Sequence, residues 1–259
     1  MRRLIGMLAV GAVGLSVALA ARTAEAICHP DAVRSGPTCI DRYEASVWKV
    51  PPTKPGLITK IKKGTVTLAD LTSPGAVAAG VVQLGLAAGD LIAAGCKDFY
   101  AVSIAGVTPA HDINWFQAAA AARNSGKRLP SNAAWQAAAL GTPDPGTDNG
   151  TTDCNIITAG AVTATGSRSN CVSDVGAFDM VGNLWEWVAD WVPPFNGSCA
   201  AALFAGDDNC LAGTGQAAGT SALIRGGDLV DGTDAGVFAV FGNGTPSIAF
   251  SHVGFRAAR

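Results

Sequence analysis

Three tryptophans and two acidic residues lie within seven consecutive positions of this chain, Trp185-Glu-Trp-Val-Ala-Asp-Trp191. Trp185, Trp187 and Trp191 occupy odd positions, so in an extended strand they share one face while Glu186 and Asp190 share the other. Three indole rings on one face form a large apolar anchor. A carboxylate buried beside them needs a cation, a metal or several backbone donors. The stretch therefore predicts a core strand with a compensated acid.

Two interpretations of Glu186 remain open at this point. In the simpler one, an arginine neutralises the carboxylate inside the core. In the other, a hard cation binds beside the core through the side chains of Asp179 and Glu186 and through backbone carbonyls near Gly182 and Leu184. The spacing favours the arginine and leaves the cation possible.

The first 26 residues are predicted to be a secretory signal outside the fold. Arg2 and Arg3 precede an uncharged apolar run over residues 4–20, and Ala24-Glu-Ala26 has the small-x-small form of a cleavage site. The alternative is a retained anchor, since the run approaches membrane-spanning length. The small residues favour cleavage, which predicts a periplasmic or secreted protein of residues 27–259 with no further membrane span.

Seven cysteines follow this segment, as expected for an oxidising compartment. Their order suggests three local disulfides, which is a hypothesis because sequence does not fix connectivity. The pairs are Cys28 with Cys39, Cys154 with Cys171, and Cys199 with Cys210. Cys96 is left over and is expected to be a buried thiol, with an intermolecular link or a reactive site as alternatives.

Only two short helices are expected. The first covers residues 112–125 with Asp112 as its cap, and the second covers residues 132–140 with Ser131 as its cap. Residues 51–95 are predicted to be an insertion with β-prone pieces at 64–71 and 76–86. This pattern, rich in glycine and irregular segments, predicts an α+β fold.

Several function classes find no support in the sequence. No Gly-x-Ser-x-Gly elbow or Walker loop is present, and the three histidines are scattered. The formal net charge is −2 and no basic stripe exists, which speaks against nucleic acid as a partner. Asp228, Asp231 and Asp234 recur every three residues, a pattern that a solvated turn explains better than a calcium loop.

Five stretches, taken together and in order, resemble the formylglycine-generating (sulfatase-modifying factor) family. They are Ile40-Asp-Arg-Tyr-Glu44, Gly126-Lys-Arg-Leu-Pro130 followed by Trp135, Asp179-Met-Val-Gly-Asn-Leu-Trp-Glu-Trp187, Ile224-Arg-Gly-Gly227 and Gly254-Phe-Arg256. The resemblance implies a single domain with a variant C-type-lectin-like fold that is largely irregular and stabilised by calcium.

The resemblance also implies positions for calcium ligands. The first site would use the side chains of Asp179 and Glu186 and the carbonyls of Gly182 and Leu184. A second site would begin at Asn155 and Ile156, with further ligands near residues 169–171, where the family's acidic residue is not evident.

One departure from the family concerns its chemistry. Active relatives carry two cysteines shortly after the Gly-Gly doublet, and these bind copper(I), a soft ion that requires thiolates. Asp231 and Gly236 occupy those places here, and no cysteine follows Cys210. Neither copper nor formylglycine formation is therefore expected.

The favoured function is a ligand- or protein-binding module of unidentified partner. Its predicted contact residues lie in the loops after Gly227 and are Asp228, Asp231, Thr233, Asp234 and Asn243. The alternative is a divergent oxidase that uses Cys96 or a non-standard metal centre.

Overall fold

The structure is a computed structural model that describes residues 27–93, 97–144, 146–192, 207, 209–210 and 220–259. The side chains of residues 209, 210 and 243 are not among those described. Three predictions therefore lie outside the described residues: the signal sequence of residues 1–26, the state of Cys96, and the pairing of Cys199 with Cys210.

The first half of the chain forms a hairpin and a small antiparallel sheet. Their strands are β1 (Ala32–Ser35), β2 (Thr38–Asp41), β3 (Ser46–Lys49), β4 (Val82–Leu84) and β5 (Phe99–Val102). β1 pairs with β2, and β3 lies between β4 and β5. The buried side chains of β3 and β5 contribute to the main hydrophobic core.

The second half forms the central sheet. Its strands are β6 (Trp185–Val192), β7 (Asn209–Cys210), β8 (Ser221–Arg225), β9 (Val240–Gly244) and β10 (Val253–Phe255). They lie in the order β10-β6-β8-β9-β7, with β6 parallel to β10 and antiparallel to β8. The strand rich in tryptophan thus has a neighbour on each side, as a core strand requires.

Six helices occur within the described residues. They are α1 (Pro55–Lys62), α2 (Leu68–Thr72), α3 (Pro74–Val77), α4 (Asp90–Ala93), α5 (Trp115–Asn124) and α6 (Asn132–Ala139). The last two confirm the predicted helices, and Ser131 caps α6 as expected through a hydrogen bond from Ala134 N to its side chain. The prediction that Asp112 caps α5 was wrong. Asn114 forms a capping box with Gln117, and Asp112 has a left-handed φ of 53°.

The prediction of only two helices, with β-prone pieces between residues 51 and 95, was also wrong. Local capping explains the difference: Thr67 and Asp70 form a capping box at α2, and Ser73 caps α3 just before its first-turn proline. These signals prevail over the β propensity of single residues, and only Val82–Leu84 forms a strand there. The helices bury Ile61, Leu71 and other apolar side chains in a separate cluster.

The shared buried face predicted for the three tryptophans of β6 holds for Trp185 and Trp187 but not for Trp191. Residues 185–188 are all buried, because β6 has hydrophobic clusters on both faces: Trp185 and Trp187 belong to one and Val188 to another. The pairing with β8 shifts register between Trp187 and Trp191. Trp191 is therefore 40% exposed and packs edge-on against Trp115 instead of entering the core beside Trp187.

Two of the predicted disulfides are confirmed, Cys28–Cys39 and Cys154–Cys171. The first lies beside the end of the chain, since Cys39 and Arg259 exchange both backbone hydrogen bonds at 3.2 and 2.7 Å. The second is buried with Ile156 and Val181 in a small apolar cluster. Among the described residues, no helix has the length and apolar character needed to cross a membrane.

We expect the Cys154→Ala/Cys171→Ala variant to lose about 3 kcal/mol of unfolding free energy, because the bridge closes a loop with a sequence separation of 17 residues. Urea unfolding of the oxidised proteins measures this loss. The matched control is Cys28→Ala/Cys39→Ala, whose half-buried bridge closes a shorter loop with a separation of 11 residues. A smaller loss for the Cys154 variant than for the control would contradict the expectation.

Candidate functional site

A fully buried ion pair joins the central sheet to the rest of the domain. The Arg256 guanidinium donates from Nε to Glu186 Oε2 at 2.7 Å and from Nη2 to Glu186 Oε1 at 2.6 Å. Trp135 Nε1 donates to Glu186 Oε2 at 2.7 Å, and Arg256 also donates to the carbonyls of Asp41 and Phe178. The simpler interpretation of Glu186, an acid compensated by an arginine, is confirmed.

Two further buried carboxylates lie close to this pair. Burial, followed by the charge of Asp179, raises the pKa of Glu44 well above its ordinary value, and burial raises the pKa of Asp179 to about 7. Glu44 Oε2 accepts a hydrogen bond from Asn183 Nδ2 at 2.6 Å, whereas Glu44 Oε1 is buried without a partner. Three carboxyl groups thus crowd around one guanidinium, and the raised pKa values of Glu44 and Asp179 reflect this excess of acidic groups.

This excess of acidic groups bears on the calcium site that the resemblance implies. Asp179 and Glu186 supply two carboxylates. Glu44 Oε1 beside them is a buried acceptor without a donor, and a bound cation would satisfy it. Within the described ranges, however, no three acidic, histidine or cysteine side chains converge on one position. A calcium ion here therefore also needs backbone carbonyls such as those of Gly182 and Leu184. Together with the two carboxylates, these carbonyls form an all-oxygen ligand set that fits calcium.

The second implied site is organised mainly by hydrogen bonds within the protein. The carbonyls of Asn155 and Ile156 accept from Asn183 N and Gly232 N, while Asn155 Oδ1 is buried without a partner. Asp148 Oδ2 accepts from the backbone amides of residues 156–158. Although burial opposes it, these bonds and that from the Thr158 hydroxyl lower the pKa of Asp148.

Asp148 was missed by the sequence analysis. The available signal was its place in an Asp-Asn-Gly turn, since such turns commonly hold a carboxylate against nearby amides. Asn155 Oδ1 stays an acceptor with no donor, so a cation ligand remains compatible with this turn. Asp148 is already saturated by amides and does not replace the acidic ligand that the family has.

A cavity of about 550 Å³ lies where the loops after β8 and before β10 meet the central sheet. Apolar and aromatic side chains form most of its wall, and four polar side chains complete it. The apolar residues include Trp185, Ile224, Phe241, Phe250 and Val253, and the polar ones with an ionisable group are Asp228, Asp231 and His252. The volume falls in the range typical of small-molecule sites.

The structure brings together only part of the predicted ligand-binding set. Asp228 and Asp231 line the cavity. Thr233 and Asp234 are exposed in a 3-10 turn, Gly232–Asp234, and do not line it. Asn243 lies in β9, and its side chain is outside the description. The aromatic wall and His252 were missed, because these residues come from strands and loops that are separated in sequence.

Local hydrogen bonds hold the acidic side of the cavity. Asp228 Oδ1 accepts from Val230 N at 2.8 Å, and Asp231 Oδ2 accepts from Asp228 N at 2.7 Å. Burial raises the pKa of Asp228, while the backbone hydrogen bond from Val230, the charge of His252 and the backbone hydrogen bond from Asp231 oppose the rise. The turn thus presents a largely desolvated carboxyl group to the cavity.

The two positions at which the resemblance implies copper-binding cysteines are occupied by Asp231 and Gly236. Asp231 lies in the turn just described. At Gly236, an added Cβ would overlap the carboxylate of Asp207, whose Oδ2 accepts a hydrogen bond from Phe238 N at 2.8 Å. Asp207 therefore fills the space that a side chain at position 236 would need.

We expect Gly236→Ala to cost roughly 1–3 kcal/mol of unfolding free energy, the usual range for overpacking a filled site. In an Asp207→Ala background the cost should fall, because the overlapping carboxylate is gone. Asp207→Asn is the matched control, since it keeps the shape and should leave the cost unchanged. Chemical denaturation of the resulting double-mutant cycles gives these values, and additivity with Asp207→Ala would refute the steric argument.

Comparison with known proteins identifies relatives of this domain. Residues 94–259 match the sulfatase-modifying factor enzyme 1-like domain family. The formylglycine-generating enzyme of Streptomyces coelicolor is 26% identical over 171 residues, covering 58% of this chain and 52% of the enzyme. That of Thermomonospora curvata is 33% identical over 101 residues, covering 32% of this chain and 33% of the enzyme.

The chain spans about half the length of the first of these curated relatives and a third of the second. Among solved structures, CarF aligns over 86% of this chain and 85% of its own, with 15% identity and a TM-score of 0.42.

Proposed function

The chain belongs to the sulfatase-modifying factor family, and we propose that it is a secreted or periplasmic, calcium-stabilised binding module without formylglycine-generating activity. The observation that carries this proposal is the replacement of the cysteine pair. Asp231 and Gly236 stand at the two positions, and Asp207 occupies the space beside Gly236.

The chemistry of copper(I) supports the loss of activity. This soft monovalent ion requires thiolate or thioether ligands, and carboxylates are poor substitutes. Asp231 is a carboxylate committed to a backbone amide, and Gly236 has no side chain. Copper is therefore not a cofactor in this proposal, and the cavity is assigned to ligand binding.

Calcium has a structural role in this proposal. Asp179 and Glu186 would hold the ion with the carbonyls of Gly182 and Leu184, and its charge would offset the surplus of buried carboxylates. A second ion at Asn155 and Ile156 would satisfy the buried Asn155 Oδ1. Neither ion takes part in a reaction.

The binding role rests on the cavity. An apolar wall with a few ionisable groups at one side is the usual composition of a ligand site. The proposed location outside the cytoplasm is supported by the two disulfides, because such bridges persist in oxidising compartments.

A cysteine-containing sulfatase-motif peptide should remain unmodified when incubated with this protein, copper and a reductant, because no thiolate pair exists at the family's positions. Mass spectrometry of the peptide measures this, with an active formylglycine-generating enzyme as the positive control. Formation of formylglycine in the sample would refute the non-catalytic assignment and make Cys96 the first residue to replace.

Calcium removal should lower the melting temperature, since a ligand at a hundredfold excess over Kd stabilises the folded state by about 2.7 kcal/mol. Asp179→Asn should melt lower than the wild type in calcium and should respond less to chelation, because it keeps only the second site. Asparagine suits the left-handed φ of 57° at this position and changes little except the charge. Glu186 is a poorer target, because its removal leaves Arg256 buried and unpaired.

Differential scanning fluorimetry with calcium or EDTA tests this assignment. The sign of the Asp179→Asn effect separates the alternatives. Without a bound cation, removing one of three crowded buried charges relieves repulsion and raises the melting temperature. A wild type unaffected by EDTA together with a more stable variant would disprove the calcium site.

A further inference from the structure

The charge of this chain is unevenly distributed. Residues 45–89 contain five of the seven lysines and a single acidic residue, Asp70, so this segment carries a net charge of +4. The whole chain has a formal net charge of −2, which leaves −6 for the other residues. The five lysines are Lys49, Lys54, Lys60, Lys62 and Lys63. One short segment of an otherwise acidic protein is therefore basic.

The fold concentrates this charge around one helix. The irregular spacing of the lysines gives no stripe in the sequence, but four of the five lie in α1 or at its two caps. α1 has eight residues and is about 12 Å long, so these four lysines are close together. α1, α2 and α3 share a hydrophobic cluster apart from the main core and lie outside residues 94–259, the part that matches the family.

Only part of this charge is neutralised within the protein. Lys60 Nζ pairs with Asp70 Oδ1 at 2.6 Å. Lys62 and Lys63 are exposed, and within the described residues their side chains form no hydrogen bond or salt bridge. The helix dipole favours cations at the end of α1, but it leaves both ammonium groups open to solvent. Two positive charges are therefore accessible to a partner.

The neighbouring carboxylate does not compensate them. Asp31 lies against Gly64, just after α1, but it already pairs with Lys127 Nζ at 2.5 Å and with Arg259 Nη1 at 2.9 Å. Asp41 also pairs with Lys127, so these two acids and two bases balance one another. The surface around α1 therefore stays positive.

A groove beside α1 provides room for a partner chain. It has a volume of about 330 Å³ and lies between α1 and the segment of α2 and α3. Lys54 and Lys60 line it, and Leu57 and Ala76 add apolar surface. A concave site of this kind admits the side chains of a peptide, whereas a flat lipid surface would touch only its rim.

The side chains of this surface favour carboxylates over phosphates or lipid. Arginine is the residue suited to bidentate binding of phosphate, and residues 45–89 contain none. Lysine is a compact point charge that pairs with single carboxylates. Leu57 and Ile58 of α1 pack against the hydrophobic cluster, so α1 presents no large apolar face of the kind that inserts into a membrane.

From these observations we propose that α1 and the adjoining groove dock an acidic peptide segment of a partner protein. Carboxylates of the segment pair with Lys62 and Lys63, and its chain lies along the groove between α1 and α3. This surface shares no lining residue with the cavity beside the central sheet. The inference is therefore independent of the ligand that the cavity binds.

Fluorescence polarisation with two labelled peptides tests the proposal. At low ionic strength the wild-type protein should bind an eight-residue glutamate peptide roughly tenfold or more tightly than a glutamine peptide of equal length, because only the carboxylates pair with lysine. Added salt should weaken this binding, since exposed ion pairs are screened. Equal affinity for both peptides, or no binding of the glutamate peptide, overturns the proposal.

Substitutions then locate the surface. Lys62→Gln/Lys63→Gln removes the two unpaired charges and should weaken binding of the glutamate peptide roughly fivefold or more. Arg123→Gln/Arg128→Gln, which removes two exposed charges outside the basic segment, is the matched control and should change the affinity little. An equal loss in both variants, or no loss in the lysine variant, overturns the assignment to α1.

Vesicles of equal parts phosphatidylglycerol and phosphatidylcholine test the other kind of anionic partner. The wild-type protein should not sediment with them, because α1 has no exposed large apolar side chain to anchor it. Sedimentation with the vesicles that Lys62→Gln/Lys63→Gln abolishes would assign this surface to an anionic membrane and overturn the peptide proposal.

Discussion

The Arg256–Glu186 ion pair is the interaction on which most of this domain depends. Glu186 lies in β6 and Arg256 lies just after β10, so the pair joins neighbouring parallel strands of the central sheet. The same guanidinium donates to carbonyls of Asp41 and Phe178, and the carboxylate accepts from Trp135 in α6. Four segments far apart in sequence therefore share one buried charge pair, and breaking it would leave an uncompensated charge in the core.

Two parts of this domain differ in what their charged residues do. Residues that build the scaffold, such as Glu186 and Arg256, make the contacts described above. In the segment after β8, carboxylates organise the backbone: Asp231 holds a turn, and Asp207 occupies the volume beside Gly236. A thiolate pair at positions 231 and 236 would require removing Asp207 as well as adding two cysteines.

Local patterns explain what could be predicted from the sequence. α5 and α6 carry capping residues and end before glycines, and the two disulfides close short loops, so each is specified by neighbouring residues. The sequence predicted that an arginine would pair with Glu186 but did not identify which one, because Arg256 lies 70 residues away. The register shift before Trp191 and the aromatic wall depend on tertiary packing, which periodicity does not contain. The short helices between residues 51 and 95 were missed because the prediction gave more weight to β propensity than to local caps, such as the capping box at α2, which prevail in the fold.

The contact between Cys39 and Arg259 has a mechanical consequence. Residue 28 is bonded through its disulfide to Cys39, and Cys39 exchanges both backbone hydrogen bonds with Arg259. Force applied between residues 28 and 259 therefore bypasses the backbone of residues 29–38. It falls first on the contacts of Arg259, which are the two backbone bonds with Cys39 and the side-chain bonds to Asp31 and the Lys62 carbonyl. A pull of this kind would reach the central sheet only after these contacts open.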